Sequence, residues 1–187
     1  MNHHEIAGEW ARLLDEFFRV RGEALDAAVA ASAGSLSAGR KILAFGNGGS
    51  ASEAQHFVAE LVNKLRRPRP ALRAVALTTD SSVLTSIGND VDFASVFSRQ
   101  IEALGDAGDV ALALSTSGGS PNVIAALKAA RAKGMITVGL TGRGGGAMAG
   151  LCDHLLAVAS DETARIQEIH LFLLHHLAGE IELRLFP

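Results

Sequence analysis

The segment Ser115-Thr116-Ser117-Gly118-Gly119-Ser120-Pro121 constrains this chain more than any other stretch. It follows an apolar run, Val110 to Leu114, that reads as a buried strand. It precedes Val123 to Lys133, whose apolar and alanine-rich spacing predicts a helix. Ser120 falls at the N-cap and Pro121 at the first helical position. Four hydroxyls and two glycines therefore gather at the positive end of a helix. A cap needs one Ser, so the surplus points to a bound anion, and phosphate is the usual occupant. Hydroxyls donate hydrogen bonds without adding charge, which suits a phosphomonoester on a neutral sugar. The competing reading is a well-capped strand-to-helix turn that binds nothing.

The same alternation of strand and helix recurs along the chain. Ile42 to Phe45, Ala74 to Leu77, Val110 to Leu114, Thr137 to Leu140 and Leu155 to Val158 read as strands. Helices are expected over Ser50 to Lys64, Ser81 to Ile87, Phe93 to Leu104, Val123 to Lys133 and Glu162 to Leu185. Residues 5 to 33 carry the stripe Ile6, Trp10, Leu13, Leu14, Phe17 and Phe18, with a possible break into two helices at Gly22. Short apolar strands between helices predict an α/β fold, a parallel sheet covered on both faces. Arg66-Arg67-Pro68-Arg69-Pro70 reads as a basic, solvated turn. No internal repeat and no long linker divides the 187 residues, so a single domain is expected.

Ligands in such sheets sit at the carboxyl ends of the strands. Gly46 to Ser50, Gly88 to Asp90 and Ser115 to Ser120 are polar loops at those ends. Gly46-Asn47-Gly48-Gly49-Ser50 resembles a dinucleotide fingerprint only superficially, because Ala51 stands where the third glycine is needed. It lets backbone approach a ligand closely. Thr141 to Gly146 ends another strand, in a Gly-Arg-Gly-Gly-Gly run that reads as a flexible turn.

Composition narrows the classes. Net charge is −3 with both signs scattered, which argues against a nucleic-acid surface. The single cysteine, Cys152, makes no intrachain disulfide, which fits a reducing cytosol. No apolar run reaches the ~20 residues of a membrane helix, and no signal peptide is visible, so a soluble cytoplasmic protein is expected.

Two helices hold the titratable groups. His56 and Glu60 stand at i, i+4, on one helix face. Such a pair either binds a divalent metal, shares proton transfer, or lies on a solvated face. The last helix carries Gln167, Glu168, His170, His175 and His176 among aliphatic residues. His175 and His176 point about 100° apart, and Gln167 lies about 12 Å from His175 along the axis. Spacing alone does not establish a metal site.

Taken together, Gly46-Asn47-Gly48-Gly49-Ser50, Gln55-His56-Phe57 with Glu60, Gly88-Asn89-Asp90, Ser115-Thr116-Ser117-Gly118 with Ser120, Leu140-Thr141-Gly142, and Arg165 to His170 with His175 resemble the phosphoheptose isomerases of the sugar isomerase (SIS) family. The resemblance implies a flavodoxin-like three-layer α/β/α fold with a five-stranded parallel sheet, an N-terminal helical region over about 1–38, an α/β core over about 40–187 and a long C-terminal helix. It implies a homotetramer with sites between subunits. It implies a reaction interconverting sedoheptulose 7-phosphate and D-glycero-D-manno-heptose 7-phosphate. Asn47, Gly48, Gly49 and Ser50 match sugar-phosphate contacts, as do Gln167 and the pair Asn89 and Asp90. Ser115, Thr116, Ser117 and Ser120 match the phosphate loop. Glu60 and His175 match the catalytic pair, and His56, Glu60, Gln167 and His175 match the Zn2+ ligands of members that carry zinc.

The chain departs from that pattern at Gly119, where Asn is usual, and at Ala164, where some members have Asp. Ala76 to Asp80, Leu84-Thr85 and the ending Leu185-Phe186-Pro187 are closer to a replication initiator-associating protein of the same fold. That relative is a non-catalytic tetramer, and it lacks equivalents of Glu60 and His175. An isomerase or etherase for another phosphosugar is the third reading.

Overall fold

The computed structural model describes residues 2–187. It opens with α1 (His3–Ser37), started by a capping box in which the Asn2 side chain accepts from His4 and Glu5 backbone N–H groups. Gly22 does not break this helix, and no second helix begins there. A mid-helix glycine costs about 1 kcal/mol. Burial of Leu13, Phe17, Leu25, Ala28 and Val29 outweighs it.

The remaining elements are β1 (Ile42–Gly46), α2 (Gly49–Val62), β2 (Ala74–Ala76), α3 (Ser81–Asp90), α4 (Ser98–Leu104), β3 (Val110–Ser115), α5 (Pro121–Ala132), β4 (Ile136–Thr141), β5 (His154–Ala157) and α6 (Thr163–Leu185). The expected helix over Phe93 to Leu104 is instead a 3-10 turn, Phe93–Ser95, followed by α4. The expected loop Gly88 to Asp90 is the last turn of α3.

All five strands pair in parallel, in the order β2-β1-β3-β4-β5. This is the flavodoxin-like order, and the direction of winding reverses between β1 and β3. Gly46 is in register with Leu114, so the loops that follow β1 and β3 lie side by side at the crevice. One sheet face, with Ile42, Ala44, Val110, Leu112 and Leu140, packs against α1, α2 and α6. The other, with Leu43, Phe45, Ala111 and Ala113, packs against α4 and α5.

The basic loop is not simply a solvated turn. The Arg69 and Glu182 side chains are 1% and 2% exposed and meet at 3.1 Å. The same carboxylate accepts the backbone N–H groups of Leu65, Arg66 and Arg67. Burial would raise the Glu182 carboxyl, but those amides and the Arg69 guanidinium outweigh it and hold it below its ordinary value. The loop is a clasp tying the end of α2 to the end of α6. Among the described residues no helix is long and apolar enough to cross a membrane.

Candidate active site

Asn47, Ser50, Ser115, Thr116, Ser120, Thr163 and Gln167 line a pocket of about 200 Å³ over the crevice between β1 and β3. Three helices start there: α2, α5 and α6. None of the three has a side-chain N-cap hydrogen bond. Of the helices that begin elsewhere, α1 and α3 are capped by Asn2 and Asp80, and the short α4 has no side-chain cap. Ser120 occupies the expected N-cap position, yet its hydroxyl turns away from the α5 backbone. It lies 3.0 Å from Ser115 Oγ, which is 3.4 Å from Ser117 Oγ. At α5 the Val123 N–H is taken by Asn122 Oδ1, and at α2 the Ser50 and Ala51 N–H groups donate to the Asn47 and Gly48 carbonyls, so the convergent hydroxyls at the three helix starts are what make this an anion site.

Glycine shapes this wall at Gly118 and Gly49. Gly118 has φ +62°, and a Cβ there would collide with the Gly145 carbonyl. Gly49 leaves room for the Gln167 amide, which a Cβ would strike. The run after β4 is more than a flexible turn: Gly142 N–H donates to the Thr116 carbonyl at 2.9 Å, and Met148 N–H to the Gly118 carbonyl at 3.1 Å. Gly119 has no positive φ, and a Cβ would find its nearest atom at 3.8 Å. The departure from Asn at that position therefore leaves the turn's geometry intact.

Asn47 is not held as a free side chain. Its Nδ2 donates to Asn122 Oδ1 at 2.9 Å, and Asn122 Nδ2 donates back to Asn47 Oδ1 at 2.8 Å. Asn122 is 2% exposed. Asn122 and Thr163 are site residues that the motif reading missed. The available signal for Asn122 was a polar residue, indifferent to helix, set among Val123, Ile124 and Ala125.

Farther along α2 and α6 the titratable groups meet. His56 Nε2 is 2.7 Å from His175 Nε2 and 3.3 Å from Glu60 Oε1. One ligand atom from each of the three lies within 4.8 Å of the others. Two imidazoles and a carboxylate suit zinc, which in catalytic sites takes three protein ligands and an open position. Gln167 rests against Gly49 in the hydroxyl-lined pocket, about 12 Å along α6 from His175. Asn89 and Asp90 are not brought to either group. They are exposed on the last turn of α3, where Asn89 Nδ2 donates to Asp90 Oδ1 at 2.7 Å.

The SIS domain family matches residues 7–142. The chain is 53% identical over 173 residues to a phosphoheptose isomerase of Nitratidesulfovibrio vulgaris (strain Miyazaki F), covering 92% of this chain and 83% of that one. The solved phosphoheptose isomerase of Neisseria gonorrhoeae superposes with a TM-score of 0.90 at 46% identity, over 96% of each chain. That of Francisella tularensis does so with a TM-score of 0.92 at 35% identity, again over 96% of each. With its strand order, its serine loop and its His–Glu cluster, the chain belongs to the phosphoheptose isomerase family of SIS domain proteins.

Proposed function

We propose that this chain interconverts D-sedoheptulose 7-phosphate and D-glycero-D-manno-heptose 7-phosphate, supplying heptose for cell-envelope glycans. The observation that carries the reading is that α2 and α6 each bear both halves of the site. Ser50 and Thr163, at their starts, line the anion pocket, while His56, Glu60 and His175 meet farther along. At 1.5 Å per residue, Ser50 to His56 spans about 9 Å of helix axis and Gln167 to His175 about 12 Å. An extended seven-carbon sugar phosphate has that reach. Its phosphate fits the hydroxyl-lined pocket at the three helix starts and its C1–C2 end fits the cluster.

Aldose–ketose exchange removes a proton from one carbon, forms an enediol, and returns the proton to the neighbouring carbon. It requires a base at carbon and an acid–base group at oxygen. Glu60 shuttles the carbon proton, and His175 gives and takes protons at the oxygens; the reverse assignment satisfies the same chemistry. His56 touches both and aligns them. The serine pocket, with Asn47, Gly48 and Gly49, anchors the phosphate, so proton transfer becomes effectively intramolecular. Asn89 and Asp90, which do not line the pocket within one subunit, would serve a site completed by a neighbouring subunit of a homotetramer.

His56, Glu60 and His175 fit a zinc ion, while Gln167, the fourth ligand the resemblance implies, lies against Gly49 in the hydroxyl-lined pocket instead. When bound, zinc polarises the sugar's carbonyl and hydroxyl oxygens. A cytoplasmic location follows from the substrate and the lone cysteine. The test is conversion of sedoheptulose 7-phosphate by purified protein, followed by formation of the aldose. Absence of conversion, with and without added zinc, would refute the reading.

A further inference from the structure

Beneath the pocket, between α2 and α6, two ionisable side chains are enclosed that the proposed proton transfer does not use. Glu53 Oε2 and His170 Nδ1 face each other at 4.0 Å, with side chains 10% and 0% exposed. Neither atom has a hydrogen-bond partner. On its other side the ring is fixed: His170 Nε2 lies 3.1 Å from the Thr141 carbonyl oxygen. A carbonyl only accepts, so Nε2 carries a proton. A neutral ring then presents Nδ1 as an acceptor. A carboxylate opposite it would set two buried acceptors against each other, and each would keep its full desolvation cost.

A neutral acid removes the conflict. Its O–H is aimed at Nδ1, and its carbonyl oxygen remains for the Ser50 hydroxyl. We infer that Glu53 and His170 form a neutral acid–imidazole pair whose role is to position two walls of the anion pocket, the Ser50 start of α2 and the Thr141–Gly142 end of β4. The inference rests on the sugar-phosphate reading of that pocket. Glu53 stands one turn after Ser50 on α2, and His170 is hydrogen-bonded to the end of β4 through the Thr141 carbonyl. Ser50 is buried and lines the pocket. Thr141 ends β4, and the following Gly142 N–H holds the Thr116 carbonyl in the serine loop.

The charges agree with this arrangement. Burial pushes the Glu53 carboxyl up to about 7, against the opposing effect of the Ser50 hydroxyl. Burial pushes the His170 imidazolium down to about 4, against the Thr141 carbonyl. At 4.0 Å the two atoms are beyond a direct hydrogen bond. A small turn of the carboxyl, or one enclosed water, closes the gap. Both are positioning residues, since neither lines the pocket.

The experiment compares Glu53→Gln with Glu53→Leu, reading the Kd for sedoheptulose 7-phosphate by calorimetry together with KM and kcat. Gln keeps a donor for Nδ1 and an acceptor for Ser50, so its Kd and KM stay within about threefold of wild type. Leu keeps volume and removes both, so its Kd and KM rise about tenfold while kcat stays within about threefold. A Leu variant that binds like wild type, or a Gln variant as weak as Leu, overturns the pair. Should Glu53→Leu fail to fold, imidazole 15N NMR of the wild-type protein at pH 6 decides. The His170 tautomer with Nε2–H and bare Nδ1 is expected, and an imidazolium or an Nδ1–H tautomer overturns it. Failure of the isomerase reading itself would show separately, as wild-type protein that neither binds nor converts the sugar.

Discussion

His56 and His175 meet through their Nε2 atoms at 2.7 Å, from positions 119 residues apart. The contact fastens α2 to α6 at the one place where Glu60 also reaches in, at 3.3 Å from His56. A pair of imidazoles sharing one nitrogen–nitrogen contact is either a single hydrogen bond or two ligands aimed at a common cation.

Removing His56 tests which. His56→Ala is expected to lower zinc retained after dialysis by at least tenfold, read by elemental analysis, because a ligand and its alignment of Glu60 go together. Unchanged retention would place the metal elsewhere.

Asn122 holds Asn47 by two reciprocal amide bonds and also accepts from the Val123 N–H at 2.9 Å. Asn122→Leu leaves the Asn47 amide without its partner, at a cost of about 1–3 kcal/mol. A lower melting temperature and a higher KM for the phosphosugar are expected together. A fall in melting temperature alone would mean that the pair serves the fold and not the loop.

Adjacent glycines in the serine loop are expected to behave oppositely. Gly118→Ala places a side chain at φ +62° against the Gly145 carbonyl and is expected to cost more than about 1 kcal/mol and to weaken phosphate binding. Gly119→Ala has clearance of 3.8 Å and no positive φ, so it is neutral or stabilising by up to about 1 kcal/mol. Denaturant midpoints of the two variants check this.

Much of this was legible in sequence because the signals are local. A strand that ends in Ser115-Thr116-Ser117 and a helix that starts at Pro121 fix the serine loop without any distant contact. The three-layer sheet follows from apolar strands alternating with helices. The His56–Glu60 pair was visible in its i, i+4 spacing, but that His175 joins it was visible only through resemblance, since helix spacing on α6 cannot say which face meets α2. Asn122 and Glu53 were not legible, because their partners lie across the fold and a lone polar residue in a helix has no pattern. The basic loop failed for the same reason: Glu182 sits 113 residues from Arg69. Gly22 misled because helix propensity is a weak force beside burial of a whole helix face.

Stability against pH reads the buried pair. Glu53 is raised from 4.5 to about 7 by burial, so the folded state holds a proton that the unfolded chain releases. Stability from this group is full below pH 4.5 and is lost as pH rises toward about 7. His170 acts in the other direction: lowered from 6.5 to about 4, it costs stability as pH falls below 6.5. Glu53→Gln is expected to remove a loss of about 1–3 kcal/mol between pH 5 and 8, measured by denaturation at each pH. A slope unchanged by the substitution would mean that Glu53 is charged in the fold.

The catalytic pairing is tested most directly by turnover of sedoheptulose 7-phosphate in Glu60→Gln and His175→Ala, with binding of the same sugar measured alongside. Both variants are expected to bind it through the serine pocket while losing about 10²–10⁴-fold in kcat. Wild-type turnover in both would contradict the account.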